Sequence, residues 1–165
     1  MGTNIHASCI VLDRAGVAFG APEDAGVLLL GPSGAGKSDL ALRLIGAGAV
    51  LVSDDRTDLS IHDGRLVARA PSRLAGLIEV RNLGILALPH RSAARVTLAV
   101  DLTPHKPLSR LPDRTSWTPP GLSLAASRRP PLIRLDPFEI SAPAKIAVAT
   151  AAFAHGLFRE TVAPM

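Results

Sequence analysis

The chain has 165 residues, a net charge of +4, 47% apolar residues and only 3% aromatic ones. That length suits one domain with one sizeable core, filled by Leu, Val, Ile and Ala rather than by rings. No apolar run approaches the ~18 residues of a membrane span, no charged-then-apolar start marks a signal peptide, and scattered basic residues without aromatic clusters do not make a nucleic-acid surface.

In chain order, Ile5 to Leu12 alternates weakly and is rich in β-branched residues, which predicts a strand ending in a turn at Asp13-Arg14-Ala15-Gly16. The lone Cys9 lies in that run; it cannot form an internal disulfide and reads as a buried structural thiol, which with the missing leader points to a cytoplasmic protein. Gly20 to Gly26 is an exposed loop by composition. Val27-Leu28-Leu29-Leu30 then reads as a buried strand, and Leu40, Ala41, Leu44 and Ile45 recur at helical spacing in a segment from Ser38 to about Ala47 that stops at Gly48.

Between that strand and helix stands Gly31-Pro32-Ser33-Gly34-Ala35-Gly36-Lys37-Ser38, with every position of the G-x-x-x-x-G-K-[ST] phosphate loop filled. The glycines let successive N–H groups converge on phosphate oxygens, and the helix N-terminus adds a favourable field. Lys37 would reach the β and γ phosphates and the Ser38 hydroxyl would hold Mg²⁺.

Ala49 to Ser53 is a further strand that closes in Asp54-Asp55, 17 and 18 residues after Lys37. In a parallel sheet its carboxyl end lies beside the phosphate loop, where one carboxylate can orient Mg²⁺ and the other can take a proton from an attacking hydroxyl. Thr57–Ile61 and Arg65–Arg69 flank a turn at His62-Asp63-Gly64, and Leu77–Val80 and Ile85–Leu88 flank one at Asn82-Leu83-Gly84. Glu79 and Arg81, two apart, would share one strand face, either as a structural ion pair or as holders of Mg²⁺ and a phosphoryl oxygen. Val96–Leu102 is an apolar strand. The proline-dense stretch from Thr103 to Pro131 predicts a long excursion with little regular structure, mobile or partner-binding. Leu132–Ile140 reads as strands broken at Pro137, and Pro143 to about Phe158 as an alanine-rich helix.

The phosphate loop, the Asp54-Asp55 strand end and Ile78-Glu79-Val80-Arg81-Asn82-Leu83-Gly84-Ile85, in this order and spacing, resemble the catalytic domain of the HPr kinase/phosphorylase family. Those enzymes act on a serine of the phosphocarrier protein HPr. The resemblance runs from His6 to the last helix, and the chain resembles the short α-proteobacterial type without an N-terminal domain. It implies an α/β, P-loop-containing, phosphoenolpyruvate carboxykinase-like nucleotide-binding fold, strand-rich with a C-terminal helix, as a single domain over 1–165. It also implies ATP and Mg²⁺ as cofactors, HPr as partner and a homo-oligomer, hexameric in the family. Residue by residue, His6, Lys37, Asp55 and Arg110 match catalytic positions, with Asp55 the proton acceptor; Gly31 to Ser38 hold the nucleotide, and Ser38 and Glu79 the metal.

Two departures stand out. Asn82 occupies a family glycine position, where Asn tolerates the positive φ of a tight turn. The family's arginine-rich loop before the last helix is replaced by Ile140-Ser141-Ala142-Pro143-Ala144-Lys145, with one cation that is no bidentate phosphate clamp. The expectation is therefore an ATP-dependent serine kinase with weak phosphorolysis. The alternatives are a small-metabolite kinase of the same fold, or an ATP-sensing regulatory module that signals through residues 103–131.

Overall fold

The computed structural model describes residues 1–159. Its strands are β1 (Gly2–Ile5), β2 (Ala7–Val11), β3 (Ala25–Leu30), β4 (Val50–Ser53), β5 (Thr57–His62), β6 (Arg65–Arg69), β7 (Leu77–Val80), β8 (Gly84–Ala87), β9 (Ala94–Leu102), β10 (Thr115–Ser116) and β11 (Pro131–Leu135). The helices are α1 (Lys37–Gly46) and α2 (Ala142–His155).

Nine strands form one sheet in the order β1-β5-β6-β9-β3-β2-β4, with β11 beside β9 and β10 beside β11; β7 and β8 make a separate hairpin. The sheet is mixed. β3 runs parallel to β9, and β11 runs parallel to β9. β2 lies antiparallel between β3 and β4. Two antiparallel steps leave β3 and β4 parallel to each other, so both carboxyl ends share one rim with the amino end of β2. The acidic strand end thus reaches the phosphate loop as expected, although the strand between them runs the other way.

Period-two alternation sorts the central strands onto two cores. Ile10, Val27, Leu29, Leu51, Leu98 and Val100 pack with Leu40 and Leu44 of α1 and Ile146 of α2. Cys9, Val11, Leu28, Val52, Leu59, Leu66 and Val96 pack on the opposite face with Leu124. Truncating a fully buried leucine such as Leu40 would cost about 2–5 kcal/mol, because the lost transfer energy adds to a cavity.

Several boundaries differ from those expected. The run from Ile5 to Leu12 is broken at His6, because β1 leaves the path of β2 to pair antiparallel with β5. The turn expected at Asp13–Gly16 is a 3-10 helix over Asp13–Phe19, closed by Gly20 at φ 74°. The segment after Leu132 makes only β11, since Pro137 and the turn behind it leave no strand before α2. That helix ends at His155 rather than near Phe158, because Gly156 adopts a left-handed cap at φ 62°. Residues 103–131 have little regular structure, as predicted, yet Leu124 is buried and Trp117 and Leu122 pack against the second core.

Candidate active site

The phosphate loop leaves β3 after Leu30 and feeds α1. Gly31, at φ 155°, has no room for a side chain: a Cβ there would stand 2.8 Å from that of Ala35. Gly36 caps the helix at φ 93°, a conformation that L side chains adopt only with strain. Lys37 is buried. Its Nζ donates to the carbonyls of Gly31 at 2.7 Å and Pro32 at 2.9 Å, folding the side chain back over the loop. Burial pushes the Lys37 ammonium below the ordinary lysine value, against the opposing pull of the Asp55 and Asp54 carboxylates.

Asp54 is buried and accepts three hydrogen bonds. Its Oδ1 accepts from Ser8 Oγ at 2.9 Å and from Ser38 Oγ at 2.7 Å, and its Oδ2 accepts the Glu79 amide at 3.2 Å. One carboxylate therefore ties β2, the phosphate loop and β7 together. Asp55 behaves differently: its side chain is 59% exposed, and Oδ1 lies 2.5 Å from Nε2 of His6. Its backbone sits at φ 66°, and the Arg56 amide donates to the Asp54 carbonyl at 2.7 Å across it. That is a three-residue γ-turn, a rare and strained geometry for a non-glycine residue. The break at His6 has a use here, since it turns the imidazole onto Asp55.

The β7–β8 hairpin is the facing wall. Ile78 is buried in the core and anchors it, which leaves Glu79 on the exposed side. Asn82 holds the tight turn at φ 71° in place of glycine. Arg81 lies in that turn, past the end of β7, yet it faces the same cleft as Glu79. Glu79 and Arg81 form no ion pair among the described residues, and both line the cleft.

The cleft measures about 540 Å³. Ser33, Gly34, Gly36, Lys37 and Ser38 floor it, with Asp55 on one side, Glu79 to Asn82 on another, and Phe138 at the edge. Periodicity gave no sign of Phe138, which follows an Asp-Pro turn. The Asp136 carboxylate accepts the amides of Phe138 at 2.9 Å and His105 at 3.2 Å. The Phe138 amide is the main cause that holds the Asp136 carboxyl below the ordinary value. Arg43 of α1 donates to the Pro137 and Glu139 carbonyls, riveting this loop to the helix behind the phosphate loop. Lys145 is not a free cation here, since its Nζ lies 2.5 Å from Glu139 Oε2. Arg110 is exposed at a bend between β9 and β10 and does not line the cleft.

Residues 20–106 match a family model described as the HPr Serine kinase C-terminal domain. The chain belongs to this family. The matched range holds the phosphate loop, Asp54, Asp55 and Glu79; His6, Arg110 and Phe138 fall outside it. An HPr kinase/phosphorylase of Clostridium beijerinckii is 49% identical over 61 residues, 37% of this chain and 20% of that protein. The HPr kinase/phosphorylase of Clostridium tetani is 45% identical over 64 residues, 39% of this chain and 21% of that protein. The chain thus matches about a fifth of the length of these curated relatives. The solved HPr(Ser) kinase/phosphatase of Coxiella burnetii superposes with a TM-score of 0.68 at 25% identity, covering 94% of this chain and 97% of that one. The likeness in fold thus extends over both sheet faces and α2, well past the family match. No described helix is long and apolar enough to cross a membrane.

Proposed function

We propose that this chain is an ATP-dependent serine kinase acting on the phosphocarrier protein HPr. The observation that carries the reading is the pairing of a complete phosphate loop with an exposed carboxylate, Asp55, at the same cleft. A nucleotide-binding module has no need of an exposed base held in a strained turn beside His6.

In this reading the ATP phosphates lie on Gly31 to Ser38, and Lys37 swings from its loop carbonyls to the β and γ phosphates. The substrate serine Oγ attacks the γ phosphorus, the bond to the β–γ bridging oxygen breaks, and ADP leaves. Asp55 takes the serine proton and His6 steadies the carboxylate. Arg110 would have to approach from the loop where it now stands exposed.

The residues fit Mg²⁺ in its nucleotide-bound form. No group of three or more His, Cys, Asp or Glu stands ready to hold a metal among the described residues. Ser38 and Glu79 offer two oxygen donors, and Mg²⁺ characteristically takes few protein ligands with the rest from phosphates and water. Bound there it would offset charge on the phosphates. Asp54 holds the Ser38 hydroxyl and the Glu79 backbone, so one buried carboxylate orients the first donor and anchors the strand that carries the second.

The same reading places the enzyme in the cytoplasm, where ATP is abundant and the buried Cys9 stays reduced, and expects a homo-oligomer, hexameric by resemblance. Leu83 and Ile85, exposed at 74% and 71% on the hairpin, are the kind of surface that oligomers cover. The test is to incubate the purified chain with labelled ATP, Mg²⁺ and HPr from the same organism, then map the phosphorylated residue. Label on one HPr serine is the expected result; no transfer, with ATP still bound, would leave only a nucleotide module.

A further inference from the structure

We infer that Ser8 is a positioning residue that holds the Asp55 turn in its working conformation. Ser8 lies on β2, fully buried in an otherwise apolar strand. A buried hydroxyl in such a place must be satisfied, and its partners show what it does. Ser8 Oγ donates to Asp54 Oδ1 at 2.9 Å and accepts the Asp55 amide at 3.1 Å. A serine hydroxyl has one donor and two acceptor sites, so a single oxygen can serve both contacts. The residues that flank Ser8 pin the same corner. Thr57 Oγ1 donates to the Ala7 carbonyl at 2.8 Å and lies 2.6 Å from Ser53 Oγ, and His6 meets the Asp55 carboxylate.

Asp55 needs that hold. A non-glycine residue at φ 66° in a γ-turn persists only where its surroundings over-determine it. The Asp54 carbonyl and the Asp55 amide belong to one peptide group: the Arg56 amide holds its oxygen from within the turn, and Ser8 Oγ holds its N–H from outside, anchoring that plane to β2. Without it, this part-buried amide loses its partner and the strained turn can relax, carrying the carboxylate away from an incoming hydroxyl. Asp54 would lose one donor but keep those from Ser38 Oγ and the Glu79 amide, so the nucleotide contacts on α1 and the phosphate loop would be left in place.

The inference rests on Asp55 as the base, so the experiment separates the two. Ser8→Ala and Ser8→Thr are assayed for phosphoryl transfer to HPr and for ATP affinity, their melting is followed, and exchange of the Asp55 amide is read by NMR on the nucleotide-free protein. For Ser8→Ala we expect kcat to fall about tenfold or more, the scale of a misplaced reacting group. We expect ATP affinity within about twofold of wild type, a split that marks lost transition-state positioning. The Asp55 amide should exchange faster, and Ser8→Thr, which keeps the oxygen, should restore the rate. Unchanged kcat and unchanged Asp55 exchange would overturn the inference. So would a kcat loss matched by equal loss of ATP affinity, the mark of a merely structural serine. Should the wild-type protein transfer nothing to HPr, the kinase reading fails by itself. The Asp55 exchange in Ser8→Ala would still support or overturn the hold of Ser8 on the turn.

Discussion

His6 Nε2 and Asp55 Oδ1 lie 2.5 Å apart, although 49 residues separate them in the chain. The contact exists because β2 runs antiparallel between two strands that point the other way, which carries its amino end to their carboxyl ends. It leaves the second Asp55 oxygen free to meet a substrate. Asp55→Asn should therefore keep ATP affinity near wild type while transfer to HPr falls by ~10²-fold or more, the scale of a lost general base. Single-turnover assays with saturating ATP check this; a collapse in ATP affinity with a normal rate per bound ATP would make Asp55 a metal or structural residue.

Lys37→Ala should abolish transfer and weaken ATP binding, because the one buried ammonium at the loop is lost. The nucleotide-free protein should show a second effect. Lys37 has a lower pKa folded than unfolded. Between its folded value and 10.5 this group holds more of its proton in the unfolded chain, so its own contribution to stability rises with pH across that window. Urea titrations at several alkaline pH values should find the wild type gaining stability relative to Lys37→Met as pH rises, a comparison in which the opposite pull of the raised Cys9 thiol, common to both proteins, cancels.

Phosphate-dependent dephosphorylation of phosphoserine HPr should be slow. That reaction needs inorganic phosphate held in line, and the loop before α2 offers Phe138 to the cleft while Lys145 is engaged by Glu139. Incubating phosphorylated HPr with enzyme, Mg²⁺ and millimolar phosphate measures it through pyrophosphate release. A rate equal to the forward reaction would mean that another cation, such as Arg81 on the facing wall, does this work.

Cys9 should be inert. Burial pushes its thiol up to about 12, so almost no thiolate exists near pH 8. A disulfide reagent should fail to label the folded protein at pH 8 and label it fully in denaturant. Fast labelling of the native protein would show that β2 opens locally.

The phosphate loop, the strand before it, the helix after it and the turn at Asn82 are legible because each follows from local chemistry: glycine spacing, apolar runs and periodicity, and a residue that tolerates positive φ. What sequence could not supply was the third dimension at the acidic corner. Asp54 and Asp55 are neighbours with opposite fates, one buried under three hydrogen bonds and one exposed at the cleft, and only the packing of β2 against β4 decides which. Ser8 carried a readable sign, a hydroxyl in an apolar strand, but its partners lie 46 and 47 residues away. Glu79 and Arg81 meet at one cleft, but Arg81 reaches it from the turn beyond Val80 rather than from a continuous strand. Phe138 depends on Arg43 gripping the backbone around it, a contact across 94 to 96 residues that no periodicity encodes.

The strand that launches the phosphate loop takes one ladder partner, β2, from the residues just before it and the other, β9, from some 70 residues later. During synthesis, a nascent chain that has emerged only through Asp55 already carries the loop and both acids but has no β9 to close the sheet over them. Such non-local pairing slows folding, since loop closure is costly before the contacts reward it. Recovery of ATP binding after dilution from denaturant should thus keep pace with global refolding, and fragments ending before β9 should have no working cleft.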